Sequence, residues 1–294
     1  MKKILFLIPV VIFFIACEDV INVDLNEEDS GLYAVEAKIT TQDQPYVFLT
    51  KGLPVNVDEE FEGISNAVVT LTDDASPVNS IVLEEDRDRK GYYTVPEGKS
   101  YPGIPSREYT VRIEIEGVEL SATDQLSVVE KIDSISIWPS LRGDKRFLAI
   151  FTYGMETPGP GNYYKWEIYI NGTLLNNAEF ISIANDEMVD GSYVNGLEIF
   201  TDYHNPHVPA ERKLQYLDTV YAKQISISEF AFDYYVQLIN QSMGGGLFSV
   251  PAANIQSNFV SSDGKEVLGL FTAHDVSTSN VVIIDDEIEN QLVE

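Results

Sequence analysis

The stretch Tyr109-Thr110-Val111-Arg112-Ile113-Glu114-Ile115-Glu116 alternates apolar and polar residues without a break, and Gly117 turns it into Val118-Glu119-Leu120-Ser121-Ala122. A period of two places Tyr109, Val111, Ile113 and Ile115 on one face, the pattern of a half-buried strand rather than of an amphipathic helix. Two strands joined by a glycine are too few to cover that apolar face, so further strands are required. Residues 32–40, 46–50, 67–72, 80–83 and 91–95 supply them, each short and rich in Val, Ile, Thr, Tyr and Phe. Pro45, Gly52, Pro54, Asp73-Asp74 and Pro77 punctuate the intervals. This spacing predicts a β-sandwich over residues 31–130.

A second β-rich domain is expected over 131–294, after an exit linker spanning 123–135. Its strands are read at 134–138, 147–153, 163–170 and 219–227, with a Gly/Pro-rich loop from Met155 to Gly161. One main helix is expected at about 226–243. Ser226-Ile227-Ser228-Glu229 has capping-box spacing from Ser226 to Glu229, with Ser228 an alternative cap. Ile227, Ala231, Tyr234 and Leu238 form one helical stripe, read as core packing rather than as a ligand groove, and Gly244-Gly245-Gly246 stops the helix. The fold class is therefore mainly β, with one main helix.

The N-terminus follows different rules. Lys2 and Lys3 precede the twelve apolar residues 4–15, then Ala16 and Cys17. As a helix those twelve residues would rise about 18 Å, too short for a bilayer core of about 30 Å, so they read as a secretory leader. Cys17 is the one cysteine in the chain, so no intramolecular disulfide can form. Ile15-Ala16-Cys17 resembles a bacterial lipobox, which makes 1–16 the leader and Cys17 the acylated N-terminus, although Phe14 is bulkier than the usual Leu. Several acyl chains, at about 0.8 kcal/mol per buried methylene, anchor a protein where one chain does not. Glu18-Asp19 resembles a surface-export signal and opens an acidic tether over 17–30.

The formal charge is −28, and loss of Lys2 and Lys3 with the leader takes the mature side chains to −30. Such acidity repels phosphate backbones and excludes nucleic acid as a partner. Residues Asp86 to Glu97 approach a calcium-loop spacing, but Lys90 stands where a ligand oxygen belongs and a charged hairpin turn at Gly91 is the better reading. His204 and His207 are weak metal candidates, with Asp202 or His274 as a conceivable third ligand. No nucleophile elbow or phosphate loop is present in the sequence, and no cofactor is expected. Trp138, Trp166, Tyr163 and Tyr164 could stack on sugars, although strand aromatics more often fill a core.

Several longer stretches resemble a known family. Ile21-Asn22-Val23-Asp24-Leu25, Tyr33-Ala34-Val35-Glu36-Ala37-Lys38-Ile39-Thr40 and Ser228-Glu229-Phe230-Ala231-Phe232-Asp233-Tyr234-Tyr235 come in order. Gly245-Gly246-Leu247-Phe248 leading to Pro251 and Asn254-Ile255, then Leu268-Gly269-Leu270-Phe271-Thr272-Ala273, complete the set. Together they are similar to the Bacteroidetes lipoproteins grouped as domain of unknown function 4249, over essentially the whole mature chain. The resemblance implies an immunoglobulin- or transthyretin-like N-terminal domain, a lipid anchor in the outer membrane, and a TonB-dependent β-barrel receptor as partner. It brings no catalytic residues. The expectation is a non-enzymatic surface lipoprotein that assists capture of a glycan or small-molecule ligand; a polysaccharide-binding or adhesion module and a metal-dependent hydrolase are the alternatives.

Overall fold

The computed structural model describes residues 32–52, 61–203, 213–242 and 254–292. Ile15, Ala16, Cys17, Glu18, Asp19, His204 and His207 lie outside these residues.

The first seven strands are β1 (Tyr33–Thr40), β2 (Tyr46–Lys51), β3 (Val68–Asp73), β4 (Ser80–Glu85), β5 (Tyr92–Thr94), β6 (Glu108–Ile115) and β7 (Val118–Gln125). Next come β8 (Ile132–Arg142), β9 (Lys145–Met155), β10 (Tyr163–Ile170), β11 (Thr173–Leu174), β12 (Ser182–Asn185), β13 (Tyr193–Thr201) and β14 (Thr219–Ile227). Helix α1 (Glu229–Ser242) follows, then β15 (Val260–Ser261), β16 (Val267–His274), β17 (Val276–Thr278), β18 (Val282–Ile283) and α2 (Asp286–Asn290). The chain is mainly β, with one long helix among the described residues.

The alternating strand β6 behaves as its pattern requires: Tyr109, Val111 and Ile113 are fully buried while Glu108, Arg112 and Glu114 face out. It belongs to a nine-stranded sheet of order β15-β7-β6-β3-β4-β5-β2-β1-β16, which wraps around a core that includes Ile39, Leu49, Leu71, Leu120 and Phe271. The wrapped sheet nearly closes where β16 meets β7. There the Ala273 N–H donates to Asp124 Oδ2 at 2.8 Å, and Ser127 forms a parallel bridge with His274.

Two of these nine strands come from the far end of the chain. β16 pairs in parallel with β1, Tyr33 opposite Val267 through to Thr40 opposite His274, and β15 pairs with β7. A division of the chain at 130/131 therefore cuts through this sheet, because 254–274 completes what 32–125 begins. Gly269 is required in this pairing: its φ is +99° and a Cβ there would stand 2.0 Å from the Val35 carbonyl oxygen. The expected linker at 123–135 is also shorter than its reading, since β7 runs to Gln125 and β8 begins at Ile132.

The second unit packs a six-stranded sheet (β11-β10-β14-β17, with β12 and β18 at its margins) on the three-stranded sheet β13-β9-β8. Ile135, Ile137, Leu148 and Ile150 from one face meet Trp166, Ile168, Val220 and Ala222 from the other. Helix α1 begins two residues later than the spacing of Ser226 and Glu229 suggests. Ser226 and Ile227 finish β14, and Ser228 takes the cap, its Oγ accepting from Ala231 N at 3.3 Å. Ser226 is buried instead between the units, donating to the Ser127 carbonyl at 2.6 Å and accepting from Asp275 N at 3.0 Å. The turn before β5 is the hairpin its charges suggest: Asp86 Oδ1 accepts from Asp88 N and Arg89 N at 2.8 and 3.1 Å, and Gly91 has φ +76°.

Candidate functional site

Strand β10 reads Tyr-Tyr-Lys-Trp-Glu-Ile-Tyr-Ile, and its two faces have different jobs. Tyr164, Trp166 and Ile168 point into the second core. The alternate residues Lys165, Glu167 and Tyr169 turn the other way, toward the outer wall of the wrapped sheet. On that wall the same alternation leaves Glu36 and Lys38 of β1 and Thr272 and His274 of β16 pointing outward, because Val35, Ala37, Ile39, Val267, Phe271 and Ala273 fill the core. The parallel register sets Lys38 opposite Thr272. Between the two walls lies a cavity of about 460 Å³, which Tyr234, Tyr235 and Leu238 of α1 and Phe180 also line.

The cavity is unusual in this acidic chain because its wall carries cations and anions in balance: Lys38 and Lys165 against Glu36 and Glu167. Both carboxylates are already engaged. Tyr46 donates its hydroxyl to Glu36. Glu167 accepts from Tyr169 at 3.0 Å and from Lys165 at 3.5 Å. Burial works against the Glu167 charge, but Lys165 and Lys38 outweigh it and hold the carboxyl below its usual range. Burial likewise opposes the Lys165 charge, while Tyr235 and Glu167 carry the ammonium above its usual value. Lys165 Nζ stands 5.0 Å from the Tyr235 ring centroid, and Lys38 Nζ 5.2 Å from that of Tyr46.

His274 sits fully buried at the rim of this arrangement. Its Nε2 is 3.1 Å from Thr272 Oγ1, and its Nδ1 has no hydrogen-bond partner among the described residues. Burial first, then Lys165, pushes its pKa down to about 3, so the ring is neutral at physiological pH. Asp202, the other conceivable partner of the loop histidines, is committed elsewhere: its oxygens accept from Lys213 N at 2.8 Å and Leu214 N at 3.2 Å.

The stacking residues do not form one platform. Trp166 and Tyr164 are core residues, Trp138 is 41% exposed on β8, and Tyr163 packs on Phe232 with ring centroids 5.1 Å apart. The expected stripe also divides: Ile227, the last residue of β14, and Ala231 join a small buried cluster on which Tyr234 packs, while Tyr234 and Leu238 line the cavity. A carboxylate cluster absent from the sequence reading appears at Glu156, Asp186 and Asp190, with ligand atoms within 4.8 Å of one another. These groups brace the loop from Met155 to Gly161. Asp186 accepts from Gly161 N and Asn162 N, Asp190 from Gly159 N, and Glu156 from Tyr164 and Gly191 N.

Sequence reasoning missed the cavity's charged pairs. The one local signal was Lys165 and Glu167 on a strand face otherwise made of tyrosines, a face too aromatic for solvent and too charged for core. Comparison with protein families bears on the whole chain: the family described as Domain of unknown function (DUF4249) matches residues 18–280. The chain belongs to this family. The match takes in every wall of the cavity in this DUF4249 chain, from β1 to β16. No curated protein matches it.

Proposed function

We propose that this DUF4249 chain is a non-enzymatic lipoprotein, acylated at Cys17 and held at the outer membrane facing the exterior. In this reading it captures a small ligand in the cavity between β1/β16 and β10 and docks on a TonB-dependent β-barrel receptor. The single observation that carries the capture step is the cavity itself, roofed by α1 and lined by charged groups that a folding core does not need. The leader and lipobox motivate the anchor, and Glu18-Asp19 motivates the exterior side.

The docking step is tested by affinity capture of the acylated protein from detergent extracts of the native cell envelope. Recovery of a β-barrel partner is the expected result, and a protein that elutes alone under every mild condition overturns it. The anchor has its own check. Cys17→Ala is expected to release or mislocalise the protein, and unchanged surface labelling of this variant would show the anchor reading to be wrong.

A further inference from the structure

The hydrogen-bond inventory of the cavity is lopsided. Each of its two carboxylates accepts within the wall, Glu36 from Tyr46 and Glu167 from Tyr169 and Lys165, with acceptor sites to spare. Its ammonium groups are less engaged still. Each lysine offers three donors. Lys165 uses one, in a long 3.5 Å contact with Glu167, and Lys38 makes no hydrogen bond or ion pair with any described residue. Both ammoniums rest against tyrosine rings, which stabilise a cation but accept no conventional hydrogen bond. A chain with 47 acidic and 19 basic side chains thus keeps two ammonium groups with open donors in one recess, beside the Glu167 carboxylate that both stabilise.

The remaining wall is aromatic and aliphatic: Tyr234, Tyr235, Leu238 and Phe180. A cavity of about 460 Å³ falls within the range of small-molecule sites. Open ammonium donors set beside tyrosine rings, with Leu238 and Phe180 in the same lining, describe a ligand that carries a carboxylate on a ring. We propose that the cavity binds a small ring-bearing carboxylate, its carboxyl group between Lys38 and Lys165 and its ring against the α1 tyrosines. A phosphate or sulfate monoester fits less well, because Glu36 and Glu167 share the recess and would oppose a second negative charge. This inference rests on the capture reading above and names the ligand class for the same site.

Two ligand sources share this chemistry, an acidic sugar and an aromatic acid. Calorimetric titration of the acylated mature protein in neutral detergent, with glucuronate and benzoate as probes and glucose and benzyl alcohol as their uncharged counterparts, separates them. At least one acid is expected to bind tenfold or more tightly than its uncharged counterpart, and the better acid identifies the ring class. Lys38→Met is expected to weaken that binding at least tenfold, with Lys38→Arg restoring most of it. Lys165→Met leaves Glu167 unpaired, so the double variant Lys165→Met/Glu167→Gln is used as well, with circular dichroism to verify folding. Neither acid binding at millimolar concentration, acids and counterparts binding equally, or folded lysine variants binding like the wild type would each overturn the proposal. Capture of a barrel partner by a protein that binds neither acid would sink the ligand class alone; acid binding without any partner would sink the docking step alone.

Discussion

Asp124 shows how much one buried side chain can decide. It sits on β7 with its carboxyl at the closure of the wrapped sheet, taking the Ala273 N–H at 2.8 Å. Burial pushes its pKa up to about 6, while hydrogen bonds from Ala273 and Ser228 work the other way. A carboxyl whose folded pKa lies above its unfolded value stabilises the protein below the unfolded pKa and loses that contribution as pH rises through about 6. Asp124→Asn keeps an acceptor for Ala273 without the ionisation. Its stability relative to the wild type is therefore expected to rise by about 2 kcal/mol between pH 4 and pH 7, as read from urea unfolding at each pH. His274 works in the opposite sense. Its folded pKa is depressed, so its contribution is present above pH 6.5 and declines as pH falls toward about 3. Without Asp124, acid destabilisation is expected to be steeper over this window. The sequence offered no sign of either shift, since both come from neighbours more than a hundred residues away or from burial itself.

At the scale of elements, period-two patterning was a reliable guide. Strands β1 to β10 and β14 fall on segments chosen for their alternation or their β-branched and aromatic content, with ends moved by a few residues. β11 to β13 and β15 to β18 were not anticipated as strands: most are short, and β13 contains Gly196 at φ +90° while its pairing with β9 slips at two places, which erases a clean alternation. The helix was anticipated, but its start was not resolved between Ser226 and Ser228. Two serines spaced by one residue look alike as caps, and the choice fell to β14, which needs Ser226 for its contact with Ser127 and Asp275. Ser228→Ala is expected to cost about 1 kcal/mol, the usual price of a lost cap. Ser226→Ala should cost about 2 kcal/mol, because it leaves the part-buried Asp275 N–H and Ser127 carbonyl short of partners. Equilibrium denaturation of both variants measures the order, and a costlier Ser228→Ala would contradict this assignment of roles.

For the whole molecule, the decisive fact is that the chain returns. β16 supplies Val267, Phe271 and Ala273 to a core that is otherwise built, Phe259 apart, from residues up to Leu126, and it forms one wall of the cavity. A fragment spanning 31–130 alone would leave β1 as an unpaired edge and open that core to water. It is expected to lack cooperative unfolding and to bind a hydrophobic dye, and adding a peptide spanning 254–292 should reverse both.

Sequence by itself determined the β class, most strand positions and the one long helix among the described residues, because these depend on local periodicity and composition. Tertiary structure alone decided which strands close the first sheet and which side chains share the cavity. Lys38, Lys165 and Thr272 are scattered along the chain, and apart from the charged, tyrosine-rich face that holds Lys165 they carry an ordinary strand residue's signature. They meet because alternation fills two separate cores with the intervening residues and leaves these on the faces where the two units touch.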